Sequence, residues 1–318
     1  MTKYVIKRIL LMIVTFFVIA TMCFVLIKLL PLPAPREMGK DVNIILARRE
    51  AMGYNKPIPV QYYRYWQHII LYGDLGLGEQ MYEGQEVATV MFSKLPYTVV
   101  VNLYSILVAI PLGLLLGIYA ALRKNKWQDH VVSTLVMLFI SVPSYVYAFL
   151  VQYFLCYKTG WFDLTIASRE SASFFSWTMF KSMLPAIISL GFGSVAGLTR
   201  FTRAELSEVL TGDYLLLART KGLTRSQAVT RHAMRNAMVP ILPMILSEFV
   251  GILGGSFIIE KIFSIPGVGA LYITAISVRD YNFFMADTLF YTFIGLAAGI
   301  VNDLSYGFID PRIRMGER

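Results

Sequence analysis

Charged side chains are scarce in this sequence. Asp, Glu, Lys and Arg together make up only 15% of its 318 residues, whereas hydrophobic residues make up 56%. A soluble domain carries about 25% charged residues. So few charges predict a chain that lies mostly in lipid, and they exclude an ordinary soluble fold.

Residues that build disulfides and metal sites are also few. Cys23 and Cys156 lie inside apolar runs, so we interpret them as small buried hydrophobic residues. His68, His130 and His232 are far apart in the sequence, and this spacing predicts no metal site. The phosphate-binding motif Gly-x-x-x-x-Gly-Lys-Ser/Thr is absent from the sequence. The chain is therefore predicted to be non-catalytic, to bind no cofactor itself, and to depend on another chain for any use of ATP.

Long apolar runs, in contrast, are plentiful. Six of them approach the roughly 20 helical residues needed to cross a hydrocarbon core of about 30 Å. They are residues 9–27, 98–122, 131–157, 183–199, 237–259 and 283–309. These runs predict an all-α polytopic membrane protein with six transmembrane helices. Four internal prolines, Pro111, Pro143, Pro240 and Pro243, are predicted to kink these helices.

The amino terminus has one feature of a secretory signal peptide, because Lys3, Lys7 and Arg8 precede the first apolar run. That run is 19 residues long, and no small-residue cleavage site follows it. We therefore interpret it as an uncleaved first transmembrane helix.

Basic residues of the short loops fall on one predicted side of the membrane. They occur at the amino terminus, at 123–126, within 200–235 and at 312–318. Cytoplasmic loops are enriched in Lys and Arg, so both termini are predicted to be cytoplasmic and the protein to lie in the cytoplasmic (inner) membrane. The net charge of +9 has the same explanation, and no nucleic acid partner is predicted.

This pattern predicts four parts. They are the cytoplasmic end with the first transmembrane helix (1–30), an extracytoplasmic cap (31–96), a core with transmembrane helices 2–6 (97–309), and a cytoplasmic tail (310–318). The cap has mixed charge, and residues 61–71 have the pattern of an amphipathic helix. The core includes a cytoplasmic segment, residues 200–236.

The cytoplasmic segment has the signals of two helices joined by a glycine turn. Asp213 opens a short helix from 214 to 221, and Gly222 supplies the left-handed residue that ends it. Thr224 is predicted to cap the next helix, 225–238, which leads into the fifth transmembrane helix.

Small residues give the short helix a predicted docking notch. Ala218 and Gly222 fall one turn apart, so a partner could approach the backbone closely there, while Arg219 and Lys221 engage acidic groups on it. The alternative is a basic amphipathic helix that rests on anionic lipid headgroups.

The same segment resembles the signature loop of ABC importer permeases, and more narrowly the peptide and nickel branch. Its matching residues are Asp213, Tyr214, Ala218, Arg219, Lys221, Gly222 and Leu223, followed by Arg231, His232 and Arg235. Of the general Glu-Ala-Ala triplet only Ala218 is present, and His232 and Arg235 replace an isoleucine and a proline, as the peptide branch itself does.

The resemblance extends over nearly the whole chain. Further matches are Gly53, Pro57, residues 59–62, 73–76, 141–144, 263–269 and 279–281, and Asp310-Pro311-Arg312. The long first outer loop is similar to that of the B-type member of the permease pair.

The resemblance implies a type I importer permease that moves oligopeptides or dipeptides by alternating access. Its implied partners are a second homologous permease (C-type), two cytoplasmic ATPases that bind ATP and Mg²⁺, and an extracytoplasmic substrate-binding protein. The short helix would be the coupling helix that sits in a groove of the ATPase. Nickel or another small solute remains an alternative cargo.

A loop between the last two transmembrane helices is a candidate outer gate or docking surface. It contains Phe263, Ile265, Pro266, Gly267, Val268 and Gly269. The Pro-Gly pair forces a turn, and the apolar residues are expected to tuck back into the bundle. The alternative is an ordinary tight loop.

Glu248 is the one charge inside the fifth apolar run. Charges in such segments usually face a cavity or a partner. Glu248 is therefore predicted either to line the translocation path and meet a peptide amine, or to pair with the second permease. Asp287 and Asp303 lie near the ends of the sixth run, where hydration is expected, and are predicted to be structural.

An ion-coupled secondary transporter is the alternative from another class. Such a protein requires coupling-ion sites and internal repeats, and neither is evident in the sequence apart from Glu248. A membrane enzyme would need a nucleophile and base or a metal constellation, and no such pattern is visible.

Overall fold

The computed structural model describes residues 2–31, 41–254 and 256–309, so the tail 310–318 with its Asp310-Pro311-Arg312 motif lies outside the described residues. These ranges are mainly α-helical, and their only β-structure is a pair of isolated bridges. The helices are α1 (Thr2–Leu29), α2 (Asp41–Ala51), α3 (Ile58–Tyr72), α4 (Val87–Leu122), α5 (Trp127–Ser141), α6 (Ser144–Val151), α7 (Trp177–Val209), α8 (Asp213–Thr220), α9 (Arg225–Ala228), α10 (Met234–Val250), α11 (Phe257–Ile262), α12 (Val268–Val278) and α13 (Tyr281–Ile309). The predicted all-α class is confirmed, as is the helix predicted for residues 61–71, which lies within α3.

The described helices are consistent with six membrane crossings. Five ranges are long and apolar enough to span a membrane: Val5–Leu29, Val87–Leu122, Trp177–Val209, Arg225–Gly254 and Tyr281–Ser305. A bent pair, Trp127–Ser141 with Ser144–Lys158, supplies the sixth. Each of the six predicted apolar runs therefore has a helical counterpart.

The third apolar run is not one helix, which corrects the prediction of a continuous span over 131–157. The chain bends by 103° between α5 and the helix that begins at Ser144. Pro143 has no backbone N–H, and its ring pushes Val142 out of helical geometry, to φ −89° and ψ 128°. Residues 152–158 continue α6 as a π-helical turn. A proline expected to kink the helix therefore breaks it.

The fifth apolar run ends earlier than residue 259, where the sequence pattern placed its end. α10 contains both Pro240 and Pro243 and finishes in a 3-10 turn, Gly251–Gly254. Glycine is a poor helix former, so the helix stops here and α11 begins separately at Phe257.

The chain forms two compact units. The first comprises Met1–Thr98, Leu253–Lys261 and Ile265–Ala297, and the second comprises Val99–Ile252, Ile262–Ser264 and Ala298–Arg318. Because α4 and α13 are long, each contributes residues to both units.

An aromatic cluster joins α1 to α3 in the first unit. The ring of Phe24 lies 5.2 Å from that of Tyr62 and 5.3 Å from that of Tyr65. The Tyr62 hydroxyl and the Thr21 hydroxyl are 2.6 Å apart, and the Tyr281 hydroxyl donates to the carbonyl of Leu30. Edge-to-face aromatic pairs stabilise such contacts beyond their buried area. Helix α3 is therefore packed onto α1.

Asp280 fixes a second part of the first unit. Its fully buried carboxylate accepts hydrogen bonds from the backbone N–H groups of Glu79, Gln80 and Met81 at 2.8, 2.7 and 3.1 Å. Burial raises the pKa of the Glu79 carboxyl, although the Arg49 guanidinium lies only 2.7 Å away and acts in the opposite direction. The loop before α4 is thus held in place both by the Arg49–Glu79 ion pair and by the backbone hydrogen bonds to Asp280.

Two glycines allow α4 and α7 to approach closely in the second unit. A Cβ atom at Gly113 would lie 2.7 Å from the Leu198 Cβ, and one at Gly117 would lie 2.6 Å from the Thr202 Cβ. The Thr199 hydroxyl donates to the carbonyl of Gly113. This is the packing that a Gly-x-x-x-Gly spacing supports between membrane helices.

Candidate functional site

The predicted glycine-ended helix of the cytoplasmic segment is present as α8. It begins at Asp213 after the extended Gly212, and it ends at Thr220, one residue before the predicted end. Gly222 has φ +91°, and its N–H donates to the carbonyl of Arg219. Only glycine adopts this backbone region without strain, so the predicted left-handed residue is confirmed.

One face of α8 packs against its own chain. Leu215 and Ala218 are buried in a core that includes Leu206, Ala228 and Ala237. The predicted notch is therefore wrong at Ala218, because its small side chain lets α8 approach the protein's own helices. Gly222 is exposed, and a Cβ atom placed there would meet nothing within 4 Å.

The opposite face of α8 is apolar and open. Leu216 is 62% exposed and Leu217 is 56% exposed, with the Tyr214 ring beside them in the sequence at 39%. Arg219 and Lys221 are also exposed, as is Asp213, whereas Leu223 is half-buried. We call Tyr214, Leu216, Leu217 and Arg219 the α8 surface. Exposed leucines outside a membrane span suggest contact with a protein partner.

The next helix begins as predicted. The Thr224 hydroxyl accepts from the N–H of Gln227, and the Gln227 side chain accepts from the N–H of Thr224, which forms a capping box. A π-helical turn, Val229–Ala233, then joins α9 to α10. Within the segment's matching residues, Arg231, His232 and Arg235 are exposed.

The loop before α12 tucks back as the sequence predicted. Phe263 is buried in the second unit. In the first unit, Ile265 and Val268 are buried, and Pro266 is half-buried. The tucking of the apolar residues is confirmed, whereas the assignment of this loop as an outer gate stays a prediction.

The loop glycines are required by a buried acid. Glu260 is fully buried, and its Oε2 accepts from the N–H of Ala270 at 3.1 Å. A Cβ atom at Gly267 would overlap the Glu260 carboxylate, and one at Gly269 would lie 3.0 Å from it. The Thr98 hydroxyl accepts from the N–H of Val268 at 2.9 Å. Sequence reasoning missed both residues. Thr98 lies 170 positions before Val268, and Glu260, although close to the loop in the sequence, has no local pattern that marks its burial.

Glu248 lines an open cavity of about 440 Å³ in the second unit. The cavity is bordered by Asn102, Ser105, Ile106, Leu190, Ser194, Met244, Ser247, Glu248 and Gly251. The Ser194 hydroxyl donates to the Glu248 carboxylate at 2.8 Å, and the Ser247 hydroxyl contacts the Asn302 side chain at 2.7 Å. Glu248 is the one ionisable side chain in this lining, so the cavity carries a negative charge whenever Glu248 is ionised.

The polar residues around Glu248 had a signal in the sequence. Asn102 and Ser105 are three residues apart, and Ser194 lies one turn after Leu190, so each pair falls on one helix face. Asp287, in contrast, is fully buried, and the expectation that it is hydrated is wrong. Neither Asp287 nor Asp303 borders the cavity.

Comparison with known proteins assigns the family. Residues 113–315 match the model of the binding-protein-dependent transport system inner membrane component, and residues 1–102 match the N-terminal model of the same membrane component. The dipeptide transport system permease protein DppB of Lactococcus lactis is 34% identical over 318 residues, covering 99% of this chain and 100% of the relative. DppB of Bacillus subtilis is 33% identical, with complete coverage of both chains. The glutathione transport system permease protein GsiC of Salmonella paratyphi A is 32% identical and covers 99% of each. The chain therefore belongs to the binding-protein-dependent inner membrane components, as a B-type ABC importer permease of the peptide branch.

Proposed function

We propose that this chain is the non-catalytic permease subunit of an ATP-driven importer that carries peptides across the cytoplasmic membrane. The observation that carries the proposal is the Glu248 cavity inside a peptide-branch permease. Its volume of about 440 Å³ falls in the range of about 300–1,000 Å³ that is usual for small-ligand sites. Relatives named for dipeptide and glutathione transport support a short peptide as the cargo.

Glu248 is the residue that we assign to cargo contact. Its partner is a neutral hydroxyl, that of Ser194, and among the described residues no cation forms an ion pair with the carboxylate. A peptide ammonium group or a basic side chain would complement it. A cation of the second permease could complement it in the same way, and we assign Glu248 to the path because its side chain lines the cavity.

The α8 surface is the part that we assign to the ATPase. Because the Leu215–Ala218 face is already buried in the chain's own core, a partner on the other side of α8 would push directly on the helices packed behind it. α8 is followed closely by α9 and α10, which leads to Glu248. ATP-driven motion would thus pass as a rigid-body movement to the cavity, in an alternating-access cycle.

The remaining parts follow from the family. A second C-type permease completes the membrane channel, two cytoplasmic ATPases bind ATP and Mg²⁺, and an extracytoplasmic binding protein delivers the cargo. Phe263 and residues 265–269 act as the outer gate or docking surface. Both termini face the cytoplasm, as the distribution of Lys and Arg supports.

The test is transport by the reconstituted complex. The chain, its second permease, the ATPases and the binding protein are placed in liposomes, and uptake of labelled dipeptides, longer peptides and Ni²⁺ is measured with and without internal ATP. ATP-dependent peptide uptake that survives collapse of the proton gradient is expected. Uptake that follows the proton gradient would instead favour a secondary transporter, and uptake of Ni²⁺ alone would replace the peptide assignment.

A further inference from the structure

A groove between α5 and α7 in the second unit belongs to none of the sites above. It has a volume of about 270 Å³. Its lining residues are Val132, Ser133, Val136 and Met137 from α5 and Thr199, Arg200, Arg203 and Ala204 from α7. One end is therefore basic and polar, and the other end is apolar.

The basic end keeps unused donors. Arg203 contacts the buried Asp129 carboxylate through Nε and Nη2, and Asp129 also accepts from the Asn125 N–H and the Ser133 hydroxyl. Asp129 is thus engaged from several sides, while the guanidinium of Arg203, which has five N–H groups, uses two of them. Arg200 is exposed and forms no ion pair with the described residues. The groove therefore carries a net positive charge.

The basic residues of the groove lie where the uncharged, membrane-spanning parts of α5 and α7 end, which is the expected boundary of the hydrocarbon core. Arg200 is the first charged residue after the uncharged stretch 182–199 of α7, and α5 is uncharged from 131 onward. Trp127 is strongly exposed at the start of α5, where amphipathic aromatic residues mark membrane interfaces. Met137 is 61% exposed, so the apolar end opens away from the protein.

We infer that this groove binds an anionic phospholipid. Its phosphate lies against Arg200 and the free N–H groups of Arg203, and an acyl chain lies along Val136 and Met137. Guanidinium groups bind phosphate oxygens in a bidentate manner. The apolar wall favours a lipid over free phosphate, and the net charge favours an anionic over a zwitterionic headgroup.

Lipid retention tests the inference. The complete importer is purified from membranes and exchanged into nanodiscs of phosphatidylglycerol and phosphatidylethanolamine with identical acyl chains. Native mass spectrometry then measures which lipid stays bound to the importer. Wild type is expected to retain phosphatidylglycerol, and Arg200→Gln to lower that retention about fivefold, the effect of one interfacial cation. Lys124→Gln removes an exposed cation that does not line the groove and should leave retention unchanged. Arg203 is left intact, because its loss would strand the buried Asp129.

A second variant tests the apolar end. Met137→Trp fills it without a change of charge, so it should lower the retention of phosphatidylglycerol while the importer remains monodisperse. Equal retention by Arg200→Gln and wild type would overturn the inference. So would displacement of the lipid by inorganic phosphate, or crosslinking of Met137→Cys to the second permease, since a protein would then cover the groove.

Discussion

The Asp280 carboxylate accepts a hydrogen bond of 2.8 Å from the backbone N–H of Glu79, which lies 201 positions earlier in the chain. The next two N–H groups, of Gln80 and Met81, donate to the same oxygen. Three consecutive amides therefore converge on one buried carboxylate and fix the loop before α4 to the start of α13.

The first prediction removes this charge. Asp280→Asn keeps the shape, but its NH₂ group must face N–H donors in either orientation, the three of residues 79–81 or that of Phe283. We therefore expect a loss of about 2 kcal/mol in stability. Thermal unfolding of the purified complex measures the change. Asp163→Asn, at an exposed position, is the control and should unfold like wild type. An unchanged midpoint for Asp280→Asn would contradict the role of this contact.

The second prediction concerns the approach of α4 to α7. Gly117→Ala places a methyl group 2.6 Å from the Thr202 Cβ, and overpacking of this kind costs about 1–3 kcal/mol. Gly295→Ala adds the same methyl group where nothing lies within 4 Å, and it should be neutral or mildly stabilising, since alanine is the better helix former. Thermal unfolding and folded yield compare the two. Equal behaviour of both variants would refute the close helix contact.

The third prediction tests the α8 surface. Leu216→Ser together with Leu217→Ser should leave membrane insertion intact, because both side chains are exposed, but should reduce co-purification of the ATPase and ATP-dependent uptake. Lys56→Ser, an exposed change in the outer segment, serves as the control. Normal ATPase binding by the double variant would require another docking surface.

The fourth prediction concerns Glu248. Glu248→Gln removes the charge and keeps the shape, so uptake of lysine-containing peptides should fall by about tenfold relative to neutral peptides, the effect of one charge-assisted hydrogen bond. Glu208→Gln, which is exposed and outside the cavity, is the matched control. The yield of the permease heterodimer is measured in parallel. A lower heterodimer yield with an unchanged uptake profile would support pairing with the second permease instead.

The fifth prediction fixes the orientation. In a background with Cys23 and Cys156 replaced by Ala, a single cysteine at Gln85 or at Arg225 is treated with an impermeant thiol reagent in intact cells. Both positions are exposed, whereas Gln80 is buried. Labelling at 85 and protection at 225 are expected. Identical labelling would exclude cytoplasmic termini with six crossings.

Local patterns predicted much of this fold. Apolar runs located the transmembrane segments, and Gly222 and Thr224 marked the boundaries of α8 and α9, because caps and glycine turns depend on nearby residues. The spacing of Gly113 and Gly117 permits a close helix contact, but it does not identify α7 as the partner.

Properties that depend on distant parts of the chain could not be predicted. Which side of α8 is buried follows from its contact with Leu206 and Ala228, and no spacing within α8 distinguishes Ala218 as an inward residue. The contact of Thr98 with Val268, 170 positions later, likewise joins distant parts of the chain. Pro143 predicted an interruption of the helix, but not the angle between the two parts, since packing decides whether a proline bends a helix or ends it.

The π-helical turn Val229–Ala233 joins α9 to α10 and so affects how the residues of α10 are oriented relative to those of α9. Each residue of an α-helix turns the chain by about 100°, and a π-helical turn absorbs one extra residue. Removal of one residue there would restore a regular α-helix and leave Ser247 and Glu248 facing the same direction relative to Thr224, whereas removal of one residue from a regular part of α10 would rotate them by about 100°. The turn thus lets the segment from α9 to α10 hold one more residue while Glu248 keeps facing its cavity.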